Sequence, residues 1–137
     1  MKRTFAGIFG LLVILGVVVV SQGISHGQGP GGLSVAEGKI CSDVVDRECL
    51  NANTRFAVPP DRLFCFTRIV GAENPTSVTH VWYYGDKERA RVNLKVGSSN
   101  WRTYSSKRIQ AHEIGEWHVD VLGPEGRLLM VIPFEIH

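Results

Sequence analysis

Residues 88–96, with the sequence Glu-Arg-Ala-Arg-Val-Asn-Leu-Lys-Val, decide the fold class of this chain. From residue 89 onward polar or charged side chains alternate with apolar ones, so Arg89 and Arg91 are expected on the same solvent-exposed face. This is the pattern of an antiparallel strand with one buried face. Residues 77–84 also alternate, and Tyr84-Gly85-Asp86-Lys87 has the composition of a tight turn. We therefore predict a β-hairpin over residues 77–96.

The rest of the domain continues this pattern of short strands and turns. Residues 62–70 and 117–121 alternate, and Gly123-Pro124-Glu125-Gly126 turns the chain into a last strand. Because residues 128–132 are apolar on both faces, we expect that strand in the middle of a sheet. No stretch longer than about ten residues has a helical period. Strands at this spacing predict an all-β fold, an immunoglobulin-like antiparallel β-sandwich, with a small barrel as the alternative.

The first residues of the chain differ from this domain. Lys2 and Arg3 precede an uncharged run over residues 5–20, and a glycine-rich stretch follows, as in a secretory signal. A helix over this run would span about 24 Å, shorter than a hydrocarbon core of about 30 Å, which favours a cleaved signal over a retained anchor. The predicted organisation is a signal peptide or short membrane anchor helix in residues 1–23, a glycine-rich flexible linker in residues 24–37 and a β-sandwich domain in residues 38–137.

This leader predicts export to the periplasm or cell envelope, where an uncleaved segment over residues 5–20 would hold the protein to the inner membrane. The formal net charge is +2, and Lys2 and Arg3 account for it. From Leu33 onward acidic and basic residues therefore balance. A balanced domain lacks the basic surface that nucleic acids require, so no nucleic-acid partner is expected.

Two segments resemble motifs of catalysis or metal binding and lack one essential residue each. His112-Glu113-Ile114-Gly115-Glu116 has glutamate where H-E-x-x-H needs its second histidine. Tyr104-Ser105-Ser106-Lys107 has tyrosine where S-x-x-K needs serine. We therefore expect no metal, no cofactor and no enzymatic activity. A hydrolase with a site assembled from loops is one alternative, and a membrane-tethered structural spacer is another.

The chain has three cysteines, at positions 41, 49 and 65. Disulfides persist in the compartments that exported proteins reach. We predict a Cys41–Cys65 bridge, because both residues lie in predicted strands that can be neighbours. Cys49 is then free or joined to a partner chain. Three reduced thiols, two of them in the core, are the alternative.

Aromatic and basic residues form the candidate binding set. Such residues can stack on a sugar ring, hold an anion through arginine, or contact another protein. For the tryptophans at 82 and 117 the alternative is a place in the core. For Arg102 it is packing over an aromatic ring for stability. The set consists of His80, Trp82, Trp101, Arg102, Tyr104, Lys107 and Trp117.

Five short segments together resemble the bacterial family catalogued as domain of unknown function 2914. The resemblance extends over about residues 40–134, and the chain departs from the family pattern at Cys49, where proline is usual. It implies an envelope location and no catalytic activity, and it adds Ser105 and Ser106 to the candidate binding residues. The expected partner is an envelope protein or a cell-wall glycan. The segments are Asp46-Arg47-Glu48, Phe64-Cys65-Phe66-Thr67, Thr79-His80-Val81-Trp82-Tyr83-Tyr84, Trp101-Arg102-Thr103-Tyr104-Ser105-Ser106-Lys107 and Gly115-Glu116-Trp117.

Overall fold

The computed structural model describes residues 32–58 and 60–137. The predicted leader in residues 1–23 lies outside this part of the chain. No helix in the described residues is long and apolar enough to cross a membrane. A 3-10 turn occurs at Pro124–Gly126. The strands are β1 (Ser34–Cys41), β2 (Asp43–Val45), β3 (Glu48–Leu50), β4 (Arg55–Phe56), β5 (Arg62–Val70), β6 (Thr76–Tyr84), β7 (Lys87–Val96), β8 (Asn100–Arg108), β9 (Gly115–Leu122) and β10 (Leu128–Ile136).

Two sheets share one hydrophobic core. The three-stranded sheet has the order β1-β5-β8, and the five-stranded sheet has the order β4-β10-β9-β6-β7. Their strand pairs are antiparallel except for β4 with β10. Leu63 and Ile69 of the first sheet belong to one buried cluster with Trp82 and Val119 of the second. The prediction of an all-β fold with antiparallel sheets is confirmed.

The predicted hairpin is formed by β6 and β7. Tyr84 pairs with Lys87 across a two-residue turn, and Gly85 supplies the positive φ of 58° that such a turn needs. Along β7 the apolar residues are buried or half-buried and the polar residues are exposed. The alternation therefore predicted the buried face of this strand, whereas its register shifts between Trp82 and Tyr83.

Strand β1 begins four residues before the predicted domain boundary, so residues 34–37 lie in a strand and not in the linker. Ser34 pairs with Val70 of β5. An irregularity between Val35 and Glu37 and the glycine at position 38 interrupt the alternation that would have indicated this strand. At the glycine, β1 passes close to β10. A Cβ atom on Gly38 would lie 2.7 Å from both Ile132 Cδ1 and Met130 Sδ. A larger residue at this position would therefore make the ends of these two side chains move.

Strands β2 and β3 form a small hairpin between β1 and β4, which we call the disulfide hairpin. Its two turn residues, Asp46 and Arg47, have φ values of 51° and 61°, as in a type I′ turn. Cys41 and Cys49 are bridged, with Cα atoms 5.6 Å apart. The hairpin lies beside Phe66, which is on the outer face of the three-stranded sheet and yet only 3 % exposed.

The predicted Cys41–Cys65 bridge is wrong. The two strands are neighbours, as expected, but Cys65 pairs with Ile40 and Cys41 with Phe64. Adjacent residues of a strand point to opposite faces of the sheet, so a register difference of one residue separates the two sulfur atoms. Cys49 is bridged and Cys65 is the free thiol. Burial in the core raises the pKa of the Cys65 thiol.

Peptide mapping without reduction is expected to recover Cys41 linked to Cys49. Cys65 should resist a thiol reagent in the native protein, because its sulfur is enclosed and protonated. The same reagent should label one cysteine per chain after unfolding without reductant. A Cys41–Cys65 or Cys49–Cys65 peptide from native protein would contradict this pairing.

The last strand, β10, is less enclosed than its apolar sequence predicts. β4 pairs only with Glu135 and Ile136 at its end, so, among the described residues, positions 128–134 have a strand neighbour on one side alone. Leu128 and Val131 are 54 % and 47 % exposed. The expected central position therefore applies only to the last two residues of the strand.

Candidate functional site

Strand β8 divides the candidate residues between two environments. Its alternate residues Arg102, Tyr104 and Ser106 lie on the outer face of the three-stranded sheet, and Tyr104 is 44 % exposed. The residues between them, including Trp101 and Ser105, face the other sheet. The ring of Tyr104 packs edge-on against Phe64 of β5, while Arg62 of β5 donates to Ser106 Oγ at 2.8 Å. Lys107, half-buried, donates to the backbone oxygen of residue 108 at 2.7 Å.

Two further candidates, His80 and Trp82, meet Ser105 inside the molecule. Trp82 Nε1 donates to Ser105 Oγ at 3.0 Å, and His80 Nδ1 lies 2.7 Å from the same oxygen. His80 Nε2 lies 3.1 Å from Thr67 Oγ1, which donates to the Thr103 carbonyl at 3.2 Å. These four side chains, from Trp82 through Ser105 and His80 to Thr67, form what we call the buried polar chain.

The hydrogen bonds of the buried polar chain assign one tautomer to His80. Because the Thr67 hydroxyl donates to a carbonyl, its oxygen accepts from Nε2–H of His80. Nδ1 then accepts from the Ser105 hydroxyl. Burial lowers the pKa of His80 to about 4, so the imidazole is neutral at pH 7. The buried polar chain joins the two sheets, since Thr67 and Ser105 belong to one sheet and His80 and Trp82 to the other.

The contact between His80 and Ser105 resembles the base and nucleophile of a hydrolase, but its surroundings differ. His80 is 0 % exposed and Ser105 is 5 % exposed, so a substrate cannot reach the hydroxyl. A triad also needs a carboxylate to orient the ring, whereas the second ring nitrogen contacts the hydroxyl of Thr67. The pair therefore stabilises the fold in this conformation and offers no accessible nucleophile.

Trp82 and Trp117 are core residues. They are 0 % and 2 % exposed, and both rings pack on Phe134, with centroids 6.0 and 5.8 Å from it. The indole of Trp117 donates to the backbone oxygen of Glu113 at 3.0 Å. The alternative interpretation of these tryptophans as core residues therefore agrees with their burial, which removes both rings from any surface contact.

A buried ion pair lies in the loop between β8 and β9. Glu113 is 1 % exposed, and its Oε1 accepts from the backbone of Gln110 at 3.0 Å. Its Oε2 lies 2.9 Å from Arg89 Nη2, although the direction of this contact is not that of a hydrogen bond. The pair holds the loop against β7. The sequence had directed attention to Glu113 only through the incomplete metal motif.

Arg102 lies between two shallow concavities at the tip of the disulfide hairpin. The first, of about 350 Å³, is lined by Asp46, Arg47, Ser98, Asn100, Trp101 and Arg102. We call it the arginine cleft. The second, of about 200 Å³, is lined by Arg47 and Arg102 together with Glu37, Lys39, Glu48, Cys49 and Phe66. Neither arginine has a carboxylate within 4.0 Å in the described part of the chain.

A larger concavity of about 690 Å³ lies beside the outer face of the five-stranded sheet. It includes the carboxylates of Glu116, Asp120 and Glu135, of which Glu135 contacts Arg55 at 3.5 Å. His118 also lines it, and its ring stacks on that of Tyr83 with the two centroids 4.7 Å apart. Sequence reasoning missed this surface because its residues are spread over three strands and carry no local motif.

Comparison with known proteins gives a single family. Residues 75–136 match the model of a family described as "Protein of unknown function (DUF2914)", and no curated protein matches the chain. The match covers β6 to β10, with His80, Trp117 and the whole segment from Trp101 to Lys107. The resembling segments before residue 75 lie outside it. Residues 75–136 of this chain are therefore similar to the domain of unknown function 2914 family.

Proposed function

We propose that this protein is a non-catalytic binding domain of the bacterial cell envelope. The outer face of its three-stranded sheet would hold a partner protein or a cell-wall glycan. The leader pattern in residues 1–23 supports export. The Cys41–Cys49 bridge supports the same location, because disulfides persist in oxidising compartments.

The strand order supports an immunoglobulin-like sandwich for this domain. In that fold one sheet carries strands A, B and E, and the other carries G, F, C and C′. Here β1-β5-β8 and β10-β9-β6-β7 follow the same orders. Trp82, fully buried on the strand equivalent to C, fits the tryptophan of that fold. Cys65 lies on the strand equivalent to B but forms no bridge, which is a departure from antibody domains.

The exposed position of Arg102 carries the proposal. Its guanidinium has no acidic partner within 4.0 Å among the described residues and lines both concavities at the hairpin tip. Arg68, its neighbour on β5, is instead paired with Glu37 at 3.4 Å. An arginine that stabilises the fold through an ion pair would show a similar contact. A guanidinium without one remains available for a carboxylate of a partner.

Arg102→Gln is expected to weaken retention on envelope material without loss of stability. The full chain would be tested for sedimentation with insoluble cell wall and for capture of envelope proteins. Removal of an arginine that grips a carboxylate should lower retention about tenfold or more. The free energy of unfolding should change by less than about 0.5 kcal/mol, because the side chain is exposed.

Arg55→Gln, on the other sheet, is the matched control and should retain full binding. A lower melting temperature for Arg102→Gln together with unchanged retention would instead make Arg102 a stability residue. If the unmodified chain is retained by neither material, the protein is a structural spacer and the proposal is wrong.

A further inference from the structure

We propose that the arginine cleft binds a carboxylate-bearing sugar. This inference rests on the proposed function, because the cleft lies on the binding face, and it names the chemical class of the ligand. The cleft brings together parts of the chain that are far apart in sequence. Arg47 comes from the tip of the disulfide hairpin, while Ser98 and Arg102 come from the start of β8 and the turn before it.

The charges of the cleft select an anion. Arg47 and Arg102 face one carboxylate, that of Asp46, among the lining residues. In the neighbouring concavity Glu37 is already paired with Lys39 at 3.7 Å and with Arg68 of β5 at 3.4 Å. Among the residues that line the cleft itself, two guanidinium groups face one acid, while Glu48 lines the neighbouring concavity together with both arginines. Guanidinium groups match the two oxygens of a carboxylate with parallel hydrogen bonds.

The remaining lining residues favour a sugar over a simple anion. The ring of Trp101 faces the other sheet and packs on the core, so only the exposed part of this half-buried side chain adds apolar surface beside the cleft. Ser98 and Asn100 add a hydroxyl and an amide, which suit the hydroxyl groups of a saccharide. The volume of about 350 Å³ is near the lower end of the range for small-ligand sites, about 300–1,000 Å³, which fits one sugar unit better than a long peptide.

The disulfide hairpin positions one half of this site. Arg47 has a φ of 61° and follows Asp46 at 51°, a geometry that two non-glycine residues hold at a cost. The Cys41–Cys49 bridge fixes the base of the hairpin. Binding is therefore expected to depend on the hairpin as well as on β8, whereas a surface arginine acting alone would not require it.

The test is a titration of the purified full chain with glucuronic acid, glucose and N-acetylglutamate, followed by calorimetry. We expect glucuronic acid to bind and glucose, which lacks the carboxylate, to bind at least about tenfold more weakly. Arg47→Gln and Arg102→Gln should each weaken glucuronic acid binding about tenfold, and Arg47→Lys should weaken it less. Arg55→Gln should bind like the unmodified chain. Thermal melts of all variants identify any loss of folding.

Four outcomes would overturn the inference. Equal affinity for glucose would remove the carboxylate from recognition, and tighter binding of N-acetylglutamate would assign the cleft to an acidic peptide. Unchanged binding in folded Arg47→Gln would remove the hairpin from the site. If cell-wall retention depends on Arg102 but glucuronic acid does not bind, the inference fails and the proposed binding function stands. If retention is also absent, both fail.

Discussion

Replacement of Arg89 by alanine is expected to lower the free energy of unfolding by about 3–4 kcal/mol. The reason is Glu113, which is 1 % exposed and whose Oε2 has Arg89 as its counter-charge at 2.9 Å. Removing one partner of a buried ion pair leaves a charge without compensation in the interior, at a typical cost of about 3–5 kcal/mol. We place the effect at the lower end because the Arg89 side chain is 35 % exposed. Urea unfolding at pH 7 measures the change.

The matched control is Arg91→Ala on the same strand. Arg91 pairs with Glu88 at 2.6 Å, but both side chains are about half exposed, so its loss should cost less than about 1 kcal/mol. The double variant Arg89→Ala with Glu113→Gln should recover part of the lost stability, because it removes the uncompensated charge. Equal losses of unfolding free energy in the two arginine variants would show that the buried Arg89–Glu113 pair stabilises the protein no more than the exposed pair.

The stability of the protein is also expected to fall by about 3 kcal/mol between pH 6.5 and pH 4 because of His80 alone. Burial lowers its pKa from 6.5 to about 4 in the folded state. Below pH 6.5 the unfolded chain therefore binds a proton that the native protein does not. The contribution is fully present above pH 6.5 and is lost as the pH falls toward 4, at about 1.4 kcal/mol per pH unit.

Denaturant unfolding at half-unit steps between pH 7 and pH 5 tests this, because most carboxylates are still ionised there. His80→Gln should be less stable at pH 7, since the buried polar chain is disturbed, yet its stability should be nearly independent of pH over this range. His118→Gln, which changes a half-buried histidine, should keep the slope of the unmodified protein. A slope that survives His80→Gln would assign the effect to another group.

Local patterns predicted the parts of the fold that depend on neighbouring residues. The alternation before and after Gly85 predicted the β6–β7 hairpin, but not the irregularity that shifts its register. The disulfide hairpin escaped prediction because its turn residues, Asp46 and Arg47, are not the glycine-containing pair that marks such turns. The cysteine pairing failed for a related reason. Sequence indicates which strands are adjacent more readily than their register, and one residue of register decides which face each cysteine occupies.

The candidate site was predictable only in part for the same physical reason. Alternation along β8 correctly puts Arg102 and Tyr104 on one face, but it does not tell which face is the outer one. Arg89 was expected beside Arg91 on the wet face of β7. Ala90 pairs with Trp82 and Glu88 pairs with Tyr83, so Arg89 lies at a bulge between two paired residues. A bulge of this kind redirects a side chain. The contact of Arg89 with Glu113 depends on the loop between β8 and β9, which is distant in sequence.

The partly open edge of β10 bears on aggregation. A strand with a free edge offers its backbone to any other extended chain, and exposed apolar residues such as Leu128 and Val131 increase that risk. Pro133 lies in the same uncovered stretch. Because proline has no N–H group, it cannot donate to an added strand, and edges are where sheets tolerate it. This residue therefore keeps the edge from growing into a continuous sheet between molecules at high local concentration.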